Sequence, residues 1–493
     1  MKKITKKLLS IALFSFSVLH IYAADIYVSA TGNNNTNDGT TLGTAYATIN
    51  YAYNIAKANS EDDNIIISGT VSLTGQITLN DASGFSISFL SADDGYGGTQ
   101  AVINNGNSGN RLFFANATSS AAVSIFTGLE FENISTTLGT GGFFGSNNSS
   151  SITFNDCSFT NLSSARASEV DLTDVAHGNI SIINTTMTFT NCVFDANATL
   201  HGNGGVFSVG NNGVLVLTDC LFTGNSSTRP NNAANGGAIS IVGSGTANIT
   251  GTTFYNNSTG NLGGAIFAAN TSVCTLTNVT MFGNSIEDAA AAKGGALRVE
   301  GTTQLTVLNS LFYGNHADDT GANTTSDIGF GGTGLTATLT NTLSGNLLKT
   351  GALTITDPES NFAADLESCA LNFDAADGKV KYIVATSGDS PIDYGSDGND
   401  VGAWDSGLTQ PALSLLSARA LDNFSVYNLA NGNVKIILDG TSNAKVYNLL
   451  GNCISSFTIN DAYELDTNSF LPGVYILNVT IDSKKYVQKF IVQ

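Results

Sequence analysis

Read for its alternation of apolar and polar positions, the chain shows one pattern many times over. An apolar residue three places before an asparagine recurs as Phe194 to Asn197, Phe222 to Asn225, Phe254 to Asn257, Met281 to Asn284, Phe312 to Asn315 and Leu343 to Asn346. Weaker copies without the asparagine begin at Phe131 and Phe159, so successive markers lie 28, 35, 28, 32, 27, 31 and 31 residues apart. Such a period belongs to a stacked repeat. Five places before the marker stand Phe126, Phe154, Phe189, Leu217, Ile249, Leu276 and Val307; seven before it stand Ile152, Met187, Leu215, Ala247, Cys274 and Leu305. Two apolar columns two residues apart are one buried face of a strand. Three before the marker come Asp156, Asn191, Asp219, Gly251, Asn278 and Asn309, all residues that form bends. Past the bend the phase shifts, and the column of Leu129, Cys157, Cys192, Cys220, Thr252, Val279 and Ser310 faces inward together with the marker. A phase change at the same place in every repeat is a corner.

A loop of variable length follows the asparagine, as in 226–235 and 286–293. A Gly-Gly signature comes next at Gly204-Gly205, Gly236-Gly237, Gly263-Gly264 and Gly294-Gly295. Paired glycines permit a tight turn and close approach of backbones. The pattern predicts an all-β chain: a right-handed parallel β-helix of about 11 coils, each completed by stacking on the next, roughly 50–55 Å long at the usual strand spacing. The six asparagines read as an internal ladder of side-chain amides, which pairs buried polar groups, rather than as a ligand-binding stripe. Cys157, Cys192 and Cys220 share an inward column and Cys274 another, as a stack of small apolar thiols would. Disulfides between neighbouring coils stay open as an alternative.

Composition fits many short strands joined by turns: 53 Gly against 5 Pro in 493 residues. Only 12% of residues are charged, yet the net charge is −20. Lys2, Lys3, Lys6 and Lys7 precede an apolar run from Leu8 to Ile21 and small residues at Ala23-Ala24, which together form a signal peptide over residues 1–23. Without that leader the charge is nearer −24. Such a surface excludes nucleic acid and anionic membrane as partners. No later apolar run is long enough for a transmembrane segment. Residues 24–64 read as an N-terminal cap, with a short helix over 46–59 (apolar Ile49, Tyr53, Ala56, Ala58) covering the first coil. From Pro411 the runs Asn433 to Leu438, Lys445 to Leu449 and Val474 to Ile481 alternate, as in a small antiparallel β-sandwich over 411–493.

Several segments resemble known families. Ile26-Tyr27-Val28-Ser29, the short helix and Asn64 to Thr70 resemble the N-terminal segment of bacterial pectate-lyase-like β-helix proteins. The marker and Gly-Gly motifs resemble polymorphic outer-membrane-protein repeats. Ser390-Pro391-Ile392-Asp393 with Asp400-Val401-Gly402-Ala403-Trp404 resembles the closing segment of such helices, here 386–410. The C-terminal block resembles the type A sorting domain of the type IX secretion system of Bacteroidota. The matching stretches are Ala444-Lys445-Val446-Tyr447-Asn448-Leu449-Leu450-Gly451, Leu471-Pro472-Gly473-Val474-Tyr475 and Gln488-Lys489-Phe490. The family usually opens with a Tyr-Pro-Asn-Pro turn, whereas Val426-Tyr427-Asn428-Leu429 lacks both prolines. The resemblance implies export across the outer membrane by the type IX machinery, acting through the C-terminal domain, to the exterior or the cell surface.

Catalytic chemistry is harder to find. A glycosidase needs two carboxyl groups facing one bond, but Glu132 and Asp195 in one outward column alternate with Thr160 and Thr223. Between residues 125 and 345 the only Lys and Arg are Arg166, Arg229, Lys293 and Arg298. Lys293, Arg298 and Glu300 read as a solvated charge group. His316 lies beside Asp318 and Asp319 in a loop with no activated nucleophile. Asp389, Asp393, Asp397, Asp400 and Asp405 suit turns, and calcium is the ion their oxygens would take. No residue is therefore assigned a catalytic, cofactor-binding or metal-binding role. The reading is a monomeric, surface-displayed adhesin or rod that binds a polysaccharide or host ligand. A lyase or glycoside hydrolase acting on acidic polysaccharides and a passive surface-layer spacer are its alternatives.

Overall fold

In the computed structural model the described residues run from 24 to 492, with breaks of which the longest are 93–99, 166–177, 357–369, 384–401 and 404–423. The signal peptide therefore lies outside the described residues, as do Asp318, Asp319, Asn346 and the acidic run from Asp389 to Asp405. Two compact units divide the chain, residues 1–409 and 410–493.

The first unit is a parallel β-solenoid. One coil shows the plan: a five-residue strand Thr246–Thr250, a bend, Thr253–Tyr255, a second bend, Ser258–Thr259, a loop, and Ile266–Ala268. Stacking of successive coils turns these four segments into sheets 1 to 4, in that order, with 12, 10, 8 and 10 strands. The strands pair in parallel and in register, Leu217 with Ile249 and Phe222 with Phe254, save that Thr324–Thr325 at the end of sheet 3 runs antiparallel to His316–Ala317. Sheet 3 was not foreseen. Ser226–Thr228 and Ser285–Ile286, expected to lie in variable loops, are its strands.

Both corners are made by left-handed backbone. Asp156, Asn191, Asp219, Asn278 and Asn309 have φ between 49° and 54°, and Gly251 takes the same position at 60°. Asn and Asp tolerate this conformation and Gly has no penalty in it. The second corner, two after the marker, uses Asn161, Ala196, Gly224, Asn256, Gly283 and Gly314. Between the corners the core is built of stacked rings. Phe126, Phe154 and Phe189 follow one another at 4.6 and 4.8 Å, and Phe159, Phe194, Phe222 and Phe254 at 4.7, 4.5 and 4.7 Å. Each such buried ring contributes about 1.5–3 kcal/mol by removal from water.

The asparagine ladder is present. Asn197, Asn225, Asn257 and Asn284 each donate an amide N–H to the Oδ1 of the next, at 2.8–2.9 Å. The other amide hydrogen goes to a carbonyl of the preceding coil, as from Asn225 to Phe194. Each Oδ1 also accepts a backbone N–H, as Asn257 does from Asn225. Every polar atom of the amide is thereby paired in a fully buried site. The last copy is corrected by the register. Phe312 pairs with Ser344, not with Leu343, and Leu339 pairs with Val307. The marker of that coil is a buried serine, and the spacing had favoured Leu343 because it is apolar and three before an Asn.

Cys157, Cys192 and Cys220 are buried free thiols, as is Cys274, while Cys453 is free and exposed. The Sγ atoms of Cys157, Cys192 and Cys220 donate to the carbonyl two residues back, at 3.2–3.4 Å. In later coils Thr252, Ser310 and Thr342 make the same bond through a hydroxyl. At this position Cys, Thr and Ser thus give a hydrogen to a bend carbonyl that also accepts a backbone N–H, as Thr190 does from Asp156, whereas Leu129 and Val279 fill the same buried position with apolar side chains.

The helix Ile49–Asn59 buries Ile49, Ala52, Tyr53 and Ala56 against the first coils. Tyr53 stacks on Phe89, and its hydroxyl accepts from the Asn80 amide at 3.0 Å. Ala58, expected on this apolar face, is exposed, and Ala52 takes its place because the helical period runs through 49, 52, 53 and 56. Near the other end Ala370–Asp374 and Lys379–Ile383 form an antiparallel hairpin rather than a further coil. The second unit is a five-stranded antiparallel sheet. Its strand Val434–Asn448 joins the two runs expected separately and bears an irregularity between Ile437 and Thr441. Val446, Ile459, Leu477 and Val479 lie in its core.

Candidate functional site

The outward positions of sheets 2 and 4 carry the chemistry available on the solenoid. On sheet 2, Glu132, Thr160, Asp195 and Thr223 stand on successive coils in one column. The threonine coil between the two carboxylates is where the sequence placed it. A closer pair is Glu130 with Glu132, two apart on the strand Leu129–Glu132 and on the same face. Burial, and then the charge of Glu132, raises the Glu130 pKa. Further along, the same column becomes aromatic. Tyr255, Phe282 and Tyr313 stack in parallel at 5.7 and 6.0 Å. Phe282 leans over Gly314, where a Cβ would lie 3.3 Å from the ring, and Tyr255 leans over Gly283. These rings turn their faces to one another along the rod, so the stack chiefly ties coils together.

On sheet 4 the outward column runs Phe114, Gly145, Ser181, Ser208, Ser240, Phe267, Arg298. Its three serines are fully buried, although they point away from the core. The turn glycines explain this. A Cβ on Gly178 would strike the backbone at Ser208, and one on Gly204, Gly236 or Gly263 would strike the carbonyl of Phe207, Ile239 or Ile266 and come within 3.1–3.2 Å of the Ser240 or Arg298 amide. The turn glycines thus lie close to the backbone of sheet 4, and the outward column is small and fully buried at the three serines but takes Phe267 and Arg298 in the later coils.

The face opens at its N-terminal end into a groove of about 380 Å³. Arg111, Phe114, Gly145, Asn147, Asn184 and Asn211 line it. The Arg111 guanidinium lies 5.1 Å from the centre of the Phe114 ring, and its Nε donates to the Gly141 carbonyl at 2.6 Å. A Cβ on Gly145 would come within 3.0 Å of an Arg111 nitrogen, so the glycine makes room for the flat guanidinium. Burial lowers the Arg111 pKa, yet an arginine stays charged in proteins. A planar cation, a half-buried ring and three amides in one concavity are suited to the hydroxyl and ring-oxygen pattern of a saccharide. Arg111 and Phe114 were missed in the sequence because their coil has no marker asparagine. Gly141-Gly142, a further copy of the Gly-Gly signature, was the signal that could have placed them.

The residues weighed from the sequence do not form a centre. Arg298 pairs with Glu300 at 2.8 Å, whereas Lys293 donates instead to Asn261 at 2.7 Å. His316 Nδ1 lies 2.7 Å from the Gly314 carbonyl in its own turn. Among the described residues there is no cluster of His, Cys, Asp and Glu able to hold a metal ion, and no helix is long and apolar enough to cross a membrane.

Residues 426–493 match the family of secretion system C-terminal sorting domains. The chain carries a type IX sorting tail, and with it an interaction with the type IX machinery. It is exported, to be secreted or attached at the cell surface. No curated protein matches the chain.

Proposed function

We propose that the type IX sorting tail delivers a glycan-binding rod to the cell exterior, and that the rod holds saccharides in the Arg111 groove without turning them over. The observation that carries this reading is the guanidinium fixed over Phe114 and Gly145 beside Asn147, Asn184 and Asn211. The fork of an arginine gives paired hydrogen bonds to vicinal oxygens, and a preset side chain loses little freedom on binding. The strongly negative chain favours neutral glycans over dispersed polyanions.

Glu130 and Glu132 favour a second reading, a glycoside hydrolase. Strand geometry sets their Cα atoms about 6.6 Å apart, and the raised pKa of Glu130 is the property wanted in a general acid. One experiment separates the two. The mature protein is offered neutral plant and host glycans, pectins, alginate and glycosaminoglycans, while retention, reducing ends and unsaturated products are all followed. The binding reading expects retention without products and about tenfold weaker binding for Arg111→Ala, with Arg111→Lys in between. Turnover abolished by Glu130→Gln would replace it with the hydrolase. Retention of no glycan at all would leave a spacer.

A further inference from the structure

The outward column of sheet 2 one place before the marker changes character along the rod. Val193 is 37% exposed, as an outward residue should be, but Thr253, Thr280 and Leu311 are 1–2% exposed at the same position in later coils. Something covers them, and Gly402 and Ala403 are part of the cover. The Gly402 amide donates to the Asn309 carbonyl at 2.8 Å, and the Ala403 amide donates to Thr280 Oγ1 at 2.8 Å. Gly402 has φ +103°, and a Cβ there would lie 2.5 Å from Thr280 Oγ1 and 3.3 Å from Leu311 Cβ. The acceptors belong to two successive coils, so the segment crosses the strands instead of extending a sheet. Its direction is backwards, from the coil of Asn309 to that of Thr280. Sheet 1 continues beyond those coils through Thr336–Thr340 to Thr354–Thr356. Thr253, one coil further in the same direction, is buried with no hydrogen-bond partner for its Oγ1.

We infer that the outer face of sheet 2 at Thr253, Thr280 and Leu311 is a docking surface for the chain's own closing segment, centred on Gly402-Ala403. The chain that leads to the sorting tail is then held on the flank of the rod, not released from its last coil. Two properties of the seat fix its occupant. It offers the Asn309 carbonyl at a left-handed corner and the Thr280 hydroxyl as acceptors, matching two successive amides. It also has no room for a Cβ at the first of them, which glycine alone satisfies without strain. Removal of the tail anywhere in 405–425 is then expected to leave the rod intact.

Hydrogen exchange of the Gly402 and Ala403 amides reports on the seat and is measured in the full-length protein together with the melting temperature of the rod. Thr280→Val removes the acceptor while keeping the shape, and Gly402→Ala introduces the clash. Each is expected to speed exchange at 402–403 and lower the melting temperature by about 1–2 °C. A chain ending at 409 should melt like the rod of the full chain, and one ending at 398 should show the loss. Unchanged exchange at 402–403 in Thr280→Val would overturn the inference, as would equal stability of the two truncated chains.

Discussion

The side-chain amide of Asn315 donates to the carboxylate of Asp327 at 2.7 Å, and this bond ends the asparagine ladder. Every amide in the ladder passes a hydrogen toward the next coil, so the series needs a final acceptor that is not itself another link. Asp327, 1% exposed, supplies it through Oδ1 and takes the Ser344 hydroxyl on Oδ2 at 3.1 Å. Asp327→Ala leaves two buried donors without acceptors, a cost of about 1–3 kcal/mol. Asp327→Asn, which keeps one acceptor, should lose less. Urea unfolding of the two variants checks the order, and hydrogen exchange should place the loosening in the coils around 297–344.

The ladder also shows what the sequence could reveal. Phase and period exposed the strands of sheets 1 and 2, the first corner and the inward thiols, because each lies at a fixed distance from a marker. Sheet 3 escaped because Ser226–Thr228 and Ser285–Ile286 are polar or too short to show alternation. Ser344 escaped because a buried serine satisfied by a carboxylate looks like a surface residue. The Arg111 groove was hidden for a different reason: Arg111, Gly145 and Asn184 come from three coils, and only stacking brings them together.

The buried thiols should be inert. Burial pushes Cys274 up to about 12 and raises Cys192 and Cys220 as well, and the thiolate is the reactive form. At pH 8, iodoacetamide should label Cys453 in the native protein and leave Cys157, Cys192, Cys220 and Cys274 untouched until denaturant is added. Peptide mapping by mass spectrometry reads the result, and rapid native labelling of Cys192 would contradict the packing described.

Glu130 should make a small, pH-dependent difference to stability. Its pKa is raised above 4.5, first by burial and then by Glu132, so the folded state binds its proton more tightly than the unfolded chain does. The ionised group therefore costs stability at neutral pH, and the cost disappears as the pH falls below the unfolded value. Glu130→Gln should melt about 1 °C higher at pH 7 and level with the wild type near pH 3.5, as the scale for a half-exposed carboxylate suggests. Thermal unfolding across that range decides it, and a gain that persists at low pH would assign the effect to packing instead of charge.

Export of a rod by its tail is the claim on which the rest depends. Its most direct test follows the full chain and a chain lacking residues 426–493 in a type IX-competent host, by fractionation and by protease added to whole cells. The full chain should be found outside or at the surface, open to protease. The truncated chain should be folded and protected in the periplasm. If the truncated rod reached the surface as efficiently, the sorting role of the C-terminal domain in this protein would be refuted.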